Sequence, residues 1–480
     1  MTYRETLDYL DSFVNYEKKS AYPYRQSFKL ARIRAFLSVI GNPQDSFKSV
    51  HVAGTKGKGS VCVFCANIFR EAGYTAGLYT SPHLFDARER LRVLRPCPAQ
   101  EDAPHPAQEE APVRASARAR ACAQDFDGMI SPKEMASLAG RLKPAIDSFC
   151  RHSPHGPLSF FEVYTAFAFE FFREKKVDVA VLETGLGGRL DATNVVKPLA
   201  CAITSISLDH TDKLGTTLAE IAREKAGIIK RASRGAMPVI SAPQRPVVLE
   251  VLNRRCRSRG ADLFLAGREI GFSLLPGKKG LQRFSVSGEL GEFGELGITL
   301  FGEHQAVNAC VATGLAMAAS ARGGMRVDAS AVRRGLSVTR WPGRFEIINH
   351  RPLIVLDGAH NWDSARMLAR AVRRFLPGKK VSVIIGVSRD KDLRGICRAL
   401  LPVARDFVAT AARSPRAFSP EEVAGCIRKE CRGIPVEISR DIQGALERIS
   451  GKRSAGFLVT GSLFVVGEAR ALLAQQRVFA

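Results

Sequence analysis

Short apolar runs alternate with longer segments of helical periodicity along most of the chain. Residues 1–49 are predicted to be helical, since Leu30, Ile33, Phe36 and Leu37 recur at helical spacing. Further on, one strand is predicted to begin at Val50, and three others span Thr75–Tyr79, Val177–Leu182 and Leu199–Leu208. One helix is predicted over residues 61–70, a second begins at Ser131, and a third runs from Ser159 to near Arg173. This alternation indicates an α/β fold with a largely parallel sheet, whose ligands bind at the carboxyl ends of the strands.

The pattern changes twice in the second half of the chain. Residues 238–300 are glycine-rich and β-like, and a helix of small residues is predicted over Gly302–Ala319. The tetrapeptide WPGR at 341–344 is typical of a linker, because proline and glycine break a helix. A second α/β unit follows, with predicted strands Leu353–Leu356, Val381–Ile385, Asp406–Ala409 and Gly456–Thr460 and predicted helices Ser364–Phe375 and Leu393–Leu400. We therefore predict one domain over residues 1–340 and a smaller one over 341–480.

Residues 96–127 differ in composition from the segments on either side. They are rich in Ala, Pro, Gln, Glu and Arg and contain almost no large apolar side chains. Such a segment buries too little apolar surface to offset the entropy lost on ordering. We predict a disordered surface insertion here.

Composition narrows the class of protein. The chain has 480 residues, of which 45% are hydrophobic and 11 are cysteines, and its formal net charge is +24. The basic residues are spread widely, and the run Arg254–Arg259 lacks the interleaved aromatics of a nucleic-acid stacking surface, although charge alone does not exclude nucleic acid. The cysteines form no disulfide framework, and no apolar run resembles a signal peptide or spans a bilayer. We expect a cytoplasmic protein with neither a nucleic-acid nor a membrane partner.

The stretch from Val50 to Ser60 (VHVAGTKGKGS) leads from an apolar strand through three glycines into a helix. Glycines let the backbone approach an anion, and the helix N-terminus attracts phosphate. Lys58 can reach the β- and γ-phosphates, and the Ser60 hydroxyl can face Mg²⁺. The usual G-x-x-x-x-G-K-[ST] spacing is not matched, because Gly59 separates Lys58 from Ser60. An ordinary glycine turn is the alternative, and the flanking strand and helix favour phosphate binding.

Three polar residues fall at or near the ends of neighbouring predicted strands. They are Ser81, Glu183 and His210. A hydroxyl, a carboxylate and an imidazole could hold Mg²⁺ together with water and substrate phosphates. Each also has a structural interpretation, because Ser81 could cap a turn, Glu183 could pair with Arg189, and a single histidine is often structural. Their shared placement favours a metal site.

Ten motifs occur in one order and cover nearly the whole chain outside the insertion. They are HVAGTKGKGS (51–60), YTSPHL (79–84), FFE (160–162), ETGLGGRLDATN (183–194), DH (209–210), EKAGIIK (224–230), HQAVNA (304–309), WPGR (341–344), DGAHN (357–361) and GSL (461–463). This ordered set resembles the folylpolyglutamate synthases and bifunctional dihydrofolate synthases of the Mur ligase superfamily. The resemblance implies an N-terminal P-loop-type ATPase domain with a mostly parallel sheet and a smaller, Rossmann-like C-terminal glutamate-ligase domain.

The resemblance also implies roles for individual residues and cofactors. Gly57, Lys58, Gly59, Ser60, Asn308, Arg344 and Asp357 would bind ATP, and Ser81, Glu183 and His210 would bind two Mg²⁺ ions. Ser159, Phe160, Phe161, Glu162, Leu190, Asp191 and Ala192 would bind the pteridine of a folate or pteroate. Lys58, Lys225 and His360 would be catalytic, with His360 on the glutamate side. Lys225 would be N6-carboxylated, which converts a neutral amine into a carboxylate. A monovalent cation is a further candidate cofactor, and a monomer is expected.

The activity that the resemblance implies is ATP-dependent addition of L-glutamate to a folate, and also to 7,8-dihydropteroate, through an acyl phosphate. It would serve folate biosynthesis and one-carbon metabolism. Three alternatives stay open: a related ligase acting on a cell-wall precursor, a P-loop NTPase stimulated by nucleic acid, and a non-catalytic nucleotide-binding module. The sequence does not separate one acceptor activity from two.

Overall fold

The computed structural model describes residues 1–17, 19, 22–96, 126–276, 281–450 and 454–475. The chain divides into two units. The first unit comprises Met1–His83, Arg88–Thr299 and Gln305–Arg340, and the second comprises Leu84–Ala87, Leu300–His304 and Trp341–Ala480. Two short segments, 84–87 and 300–304, therefore belong to the second unit although they precede residue 341.

A seven-stranded sheet lies at the centre of the first unit. Its strands are β1 (Lys48–Ala53), β2 (Ala76–Tyr79), β3 (Leu91–Leu94), β4 (Val179–Glu183), β5 (Ala200–Ile203), β6 (Met237–Ser241) and β7 (Ala261–Leu265). Their order is β3-β2-β4-β1-β5-β6-β7, and every neighbouring pair is parallel except β2 with β3. The apolar runs of β1, β4 and β5 are almost entirely buried, as expected for strands covered on both faces. Because β4 and β5 flank β1, the loops after these strands leave the same edge of the sheet.

Helices cover this sheet, and several begin at a side-chain cap. They are α1 (Tyr3–Asp11), α2 (Tyr24–Ser27), α3 (Leu30–Val39), α4 (Lys58–Glu71), α5 (Pro132–His152), α6 (Phe160–Glu174), α7 (Thr211–Leu214), α8 (Leu218–Lys225), α9 (Pro246–Arg259), α10 (Glu303–Gly323) and α11 (Ala329–Val338). Reciprocal Ser or Thr with Glu capping pairs begin α1, α5, α6 and α8. A separate antiparallel sheet, β10-β9-β8, consists of β8 (Ile270–Leu274), β9 (Gln282–Gly288) and β10 (Phe293–Ile298).

The second unit has a six-stranded sheet of its own. Its strands are β11 (Glu346–His350), β12 (Leu353–Leu356), β13 (Val381–Ile385), β14 (Ala404–Ala409), β15 (Val436–Ile438) and β16 (Phe457–Thr460), and its helices are α12 (Trp362–Phe375), α13 (Leu393–Leu400), α14 (Pro420–Glu430), α15 (Ile442–Ser450) and α16 (Leu463–Gln475). The order is β11-β12-β16-β13-β14-β15, with β11 antiparallel and the other pairs parallel. The predicted fold class is thereby confirmed.

Some predicted elements have different bounds in the structure. The strand predicted over Leu199–Leu208 ends at Ile203, and α9 interrupts the β-like region 238–300. Strand β11 and helix α11 were not predicted. Helix α11 packs closely on α4, where a Cβ added at Gly335 would lie 2.6 Å from Ile68, so its partner is distant in the sequence. Strand β11 pairs with β12 only two residues later, but it is an edge strand with half-buried or exposed side chains, so it lacks the apolar pattern of a buried strand.

Of the predicted insertion, residues 97–125 lie outside the described residues. Its last two residues fold with the first unit: Phe126 is buried beneath the Arg92 guanidinium, and Asp127 pairs with Arg70 at 3.1 Å. Within the described ranges, no helix is both long and apolar enough to cross a membrane.

Candidate active site

The loop between β1 and α4 is held in place by backbone hydrogen bonds and by a glycine that cannot be replaced without strain. Its Thr55 and Lys56 N–H groups donate to the carbonyl oxygen of Ser205, at 3.0 and 3.2 Å. Gly57 has φ +90°, and a Cβ added there would lie 2.3 Å from Oδ1 of Asn308. Only glycine fits this position without strain. Gly57 is the N-cap residue of α4 and has no side chain, so the first N–H groups of the helix are not held by an N-cap side chain.

Asn308, predicted to contact ATP, is held directly against this loop. It is buried in α10, and its Nδ2 donates to Oε1 of Gln305 at 3.0 Å. The Gly57 contact places the other amide atom, Oδ1, at the loop backbone. The structure therefore brings together residues 57–60 and Asn308, which are far apart in the sequence.

Glu183 brings Lys58 and Ser81 together at the carboxyl edge of the sheet. The Lys58 Nζ lies 3.9 Å from Oε1 of Glu183, and the Ser81 N–H donates to Oε2 at 3.2 Å. The Glu183 side chain is 6% exposed, so its charge lies in a weakly screened environment. A carboxylate and a hydroxyl beside a phosphate loop fit Mg²⁺, which takes one or two carboxylates and completes its shell with water and phosphate oxygens.

His210, the third predicted metal ligand, lies in a different setting. It precedes α7 with φ +50°, its side chain is 44% exposed, and its Nε2 lies 4.0 Å from the carboxylate of Asp209. Asp209 in turn pairs with Lys56 at 2.8 Å. In the described part of the chain, no three His, Cys, Asp or Glu side chains are arranged to hold a metal ion. The structure thus groups Ser81 with Glu183 and gives no cluster that includes His210.

Lys225, the last residue of α8, is buried under the phosphate loop. It is 4% exposed, and its Nζ donates to the Gly54 carbonyl oxygen at 2.8 Å. Burial, followed by the nearby Lys58 charge, lowers the pKa of Lys225 to about 7, while Asp209 acts in the opposite direction. A large fraction of this amine is therefore neutral near pH 7, and a neutral amine is a nucleophile.

The two segments predicted to bind a pteridine converge on one pocket in the first unit. The pocket is a narrow cleft with a cavity volume of about 10 Å³, and it is lined by Phe28, Lys29, Arg32, Ile33, Ser159, Phe161, Glu162, Leu190 and Ala192. On its wall, the Arg32 guanidinium donates to both carboxylate oxygens of Glu162 at 2.9 Å, with both residues buried. An aromatic ring and a buried ion pair have the chemistry to contact a flat, polar heterocycle, which would enter only if these side chains move apart.

Two residues of those segments do not line the pocket. Phe160 is buried under the guanidinium of Arg90. Asp191 is fully buried, and its Oδ2 accepts from the N–H groups of Gly185 and Leu186, both at 2.9 Å. Burial raises the pKa of Asp191, although these hydrogen bonds oppose the shift. Its carboxylate fixes the loop after β4.

Sequence reasoning missed the pocket residues Phe28, Lys29 and Arg32. They fall in or beside the helical stretch that the periodicity identified, which gave no sign of a ligand. Arg32 pairs with Glu162, which is 130 positions away in the sequence. The one usable signal was a charged residue beside the apolar stripe of α3.

Three further predicted residues, Arg344, Asp357 and His360, lie in the second unit. Asp357 is half-buried, and desolvation of its carboxyl raises its pKa; its two oxygens accept from the N–H groups of Phe345 and Ala359 at 2.8 and 2.9 Å. The Arg344 guanidinium lies beside Gly358, where an added Cβ would be 3.0 Å from it. The ring of His360 donates from Nδ1 to the Gly358 carbonyl oxygen at 2.8 Å. Asp357 and His360 lie in the loop after β12, and Arg344, in the turn before β11, reaches the same loop at Gly358.

Comparison with known proteins adds to this geometry. The chain matches the family models of the Mur ligase middle domain over residues 161–316 and the Mur ligase glutamate ligase domain over residues 343–463. It is 30% identical to the dihydrofolate synthase/folylpolyglutamate synthase of Bacillus subtilis over 448 residues, which is 92% of this chain and 94% of that protein.

Solved structures show the same likeness. The Mycobacterium tuberculosis folylpolyglutamate synthase complexed with ADP superposes with a TM-score of 0.83 and 31% identity, over 99% of this chain and 98% of that one. An FPGS–AMPPCP–folate complex superposes with a TM-score of 0.76 and 27% identity, over 98% of this chain and 100% of that one.

Proposed function

Because the chain belongs to the dihydrofolate synthase/folylpolyglutamate synthase family of Mur ligases, we propose that it is an ATP-dependent ligase adding L-glutamate to a folate. The observation that carries this proposal is the arrangement of Lys58 and Glu183 at a phosphate loop, in the same unit as the pocket formed by residues 159–162 and 190–192. ADP, an ATP analogue and folate in the related structures support the same substrates here.

The reaction needs positioning and charge neutralisation more than covalent chemistry from the protein. The acceptor carboxylate attacks the γ-phosphorus of ATP, a P–O bond to ADP breaks, and an acyl phosphate forms. The glutamate amine then attacks the acyl carbon, phosphate leaves, and the amine proton passes to solvent. Lys58 and the N–H groups at the start of α4 hold the phosphates. Mg²⁺ bound through Ser81 and Glu183 would neutralise phosphate charge, with His210 proposed as a further ligand.

Lys225 is proposed to act as an N6-carboxylate. Its neutral amine attacks the carbon of carbon dioxide and loses one proton, giving a carbamate with one negative charge. The pKa of about 7 and the burial of Lys225 support this step, since an ordinary lysine is almost wholly protonated at neutral pH. The hydrogen bond of its amine to Gly54, in the phosphate loop, supports a role beside the phosphates.

Residues of the second unit complete the proposed set. Arg344 and Asp357 are assigned to the nucleotide and His360 to the glutamate side. The Asp357 carboxylate holds backbone N–H groups of its own loop, which supports an indirect role through the position of Arg344. A monomeric state, a monovalent cation, a cytoplasmic location and the absence of nucleic-acid and membrane partners stay predictions.

We also propose that 7,8-dihydropteroate is an acceptor, as the name of the B. subtilis relative suggests for that protein. The test is phosphate release from ATP in the presence of glutamate, with dihydropteroate, tetrahydrofolate or no acceptor. Release with both acceptors supports a bifunctional enzyme, and release with tetrahydrofolate alone supports a polyglutamate synthase. If neither acceptor stimulates folded protein, the folate assignment is wrong.

Variants at the phosphate loop test the site itself. Lys58→Ala and Glu183→Ala should each reduce ligation by about 10²-fold or more, because the first removes a cation that would contact the phosphates and the second removes the carboxylate that would hold Mg²⁺. Lys133→Ala, at an exposed position of α5, is the matched control. Circular dichroism should show all three variants folded. Near-normal turnover of either site variant would contradict the assignment.

A further inference from the structure

Arg344 is held by an unusual turn of the backbone. Its N–H donates to the Trp341 carbonyl oxygen at 3.3 Å, and the residues on both sides have positive φ, +71° at Gly343 and +46° at Phe345. A positive φ at phenylalanine is uncommon and is kept only where the surroundings impose it. The position of the Arg344 guanidinium therefore depends on what holds this turn.

Three hydrogen bonds hold the turn from within the second unit. The Gly343 carbonyl oxygen accepts from Gly358 N–H at 2.9 Å, and the Phe345 N–H donates to Asp357 at 2.8 Å. The Gly343 N–H donates to Oε2 of Glu346 at 2.8 Å. Of these three contacts, only the last one depends on a side chain outside the motifs identified in the sequence.

Glu346 is itself fixed by the C-terminal helix α16. The Arg470 Nε lies 2.9 and 3.2 Å from the two carboxylate oxygens of Glu346, and the two side chains are 11% and 16% exposed. The Arg470 guanidinium also lies over the ring of Phe85, 5.8 Å from its centroid. An ion pair with so little exposure is screened weakly, and its geometry is restricted by stacking on an aromatic ring.

We propose that Arg470 and Glu346 are positioning residues for the ligase reaction, which set the 341–345 turn and through it the Arg344 guanidinium. The proposal rests on the role of Arg344 toward the nucleotide that is proposed above. Arg470 and Glu346 touch no substrate in this scheme. Removing the Arg470 cation takes a charged partner away from a mostly buried carboxylate, so that Glu346 moves toward water and releases the Gly343 N–H.

The test compares Arg470→Met, Arg470→Lys and wild type by steady-state kinetics and by calorimetric binding of a non-hydrolysable ATP analogue. In Arg470→Met we expect kcat/KM for ATP to fall by about tenfold or more, because a misplacement of about 1 Å can cost up to about 10²-fold. The KM for the folate acceptor should stay the same. Arg470→Lys should recover part of the loss, since it restores a cation.

Arg398→Met is the matched control. Arg398 pairs with Glu430 in the same unit, with Nε 2.8 Å from the carboxylate and no part in the 341–345 turn. Arg398 is exposed and Glu430 also pairs with Arg394 at 3.7 Å, so Arg398→Met should change kcat/KM by less than about twofold. If Arg470→Met and Arg398→Met have the same kinetic effect, the proposal is overturned.

A double-mutant cycle decides whether Arg470 acts through Arg344. In an Arg344→Ala background, Arg470→Met should cause little additional loss of analogue affinity. An equal fold-loss in both backgrounds would mean a general structural role and would overturn the proposal. The outcome also separates the two hypotheses: an inactive wild type would contradict the proposed function, whereas analogue binding would still report the coupling of Arg470 to Arg344.

Discussion

The substitution Lys225→Met should change how stability depends on pH. The pKa of Lys225 is 10.5 in an ordinary setting and about 7 in the folded protein, because the amine is buried. Between these two pH values the unfolded chain binds a proton that the folded chain does not, so the free energy of unfolding rises with pH. Above pH 10.5 the amine is neutral in both states and burying it does not lower the free energy of unfolding. As the pH falls from 10.5 to about 7, this stability is lost. At 1.36 kcal/mol per pH unit, the whole fall corresponds to about 5 kcal/mol.

Urea denaturation of wild type and Lys225→Met, in buffers depleted of carbon dioxide and without nucleotide or Mg²⁺, measures this effect. From about pH 7 to about pH 9, wild type should gain about 2 kcal/mol relative to the variant, because the folded-state amine is already half deprotonated at pH 7. Lys230, whose pKa burial lowers to about 8, is present in both proteins and cancels in the comparison. A difference between the two proteins that does not change with pH would refute the reasoning.

Carboxylation adds a second expectation to the same experiment. Bicarbonate, compared with chloride at equal ionic strength, should raise the free energy of unfolding of wild type and leave Lys225→Met unchanged, because a ligand that reacts only with the folded state stabilises it. An equal response of both proteins would contradict the assignment of Lys225 as the modified residue.

Two further substitutions test the phosphate loop and the acceptor pocket. Gly57→Ala and Gly73→Ala share positive φ values of +90° and +91°, so both incur a left-handed cost of about 1–2 kcal/mol, but only Gly57 also faces Asn308. The KM for ATP should therefore rise in Gly57→Ala alone, and equal values would contradict the steric argument. Arg32→Met should lower the free energy of unfolding by about 3–5 kcal/mol, because the buried Glu162 carboxylate loses its cation and keeps only its hydrogen bonds from Ser159. It should also raise the KM for the acceptor, and an unchanged KM would contradict a role of Arg32 in acceptor binding.

Local patterns predicted much of the fold. The bounds of Leu353–Leu356, Val381–Ile385 and Leu393–Leu400 match the structure, because each is an apolar element flanked by residues that end it. The phosphate loop was equally readable, since its strand, glycines and helix are contiguous. Helix α11 could not be predicted in this way, because it packs on α4, which is distant in the sequence.

The candidate site was harder to predict, because its geometry depends on pairs that are remote in the sequence. Nothing near Lys225 predicts a lowered pKa, which arises from burial beneath a loop 171 positions away. Asp191 was assigned to the pteridine together with its neighbours, and the structure shows its carboxylate bound to backbone N–H groups. The partner of Arg32 could not be inferred from local spacing.

The second unit is not a contiguous piece of chain, and this limits how its coding sequence can be cut or recombined. Phe301, contributed by the segment 300–304, packs its ring against Phe345 and Phe375 at 5.7 and 5.1 Å, and Phe85 comes from the segment 84–87. A fragment cut at residue 341 would lack both aromatic side chains and expose the surfaces they cover. Exchange of C-terminal halves between relatives therefore requires that these two short upstream segments be compatible with the incoming half.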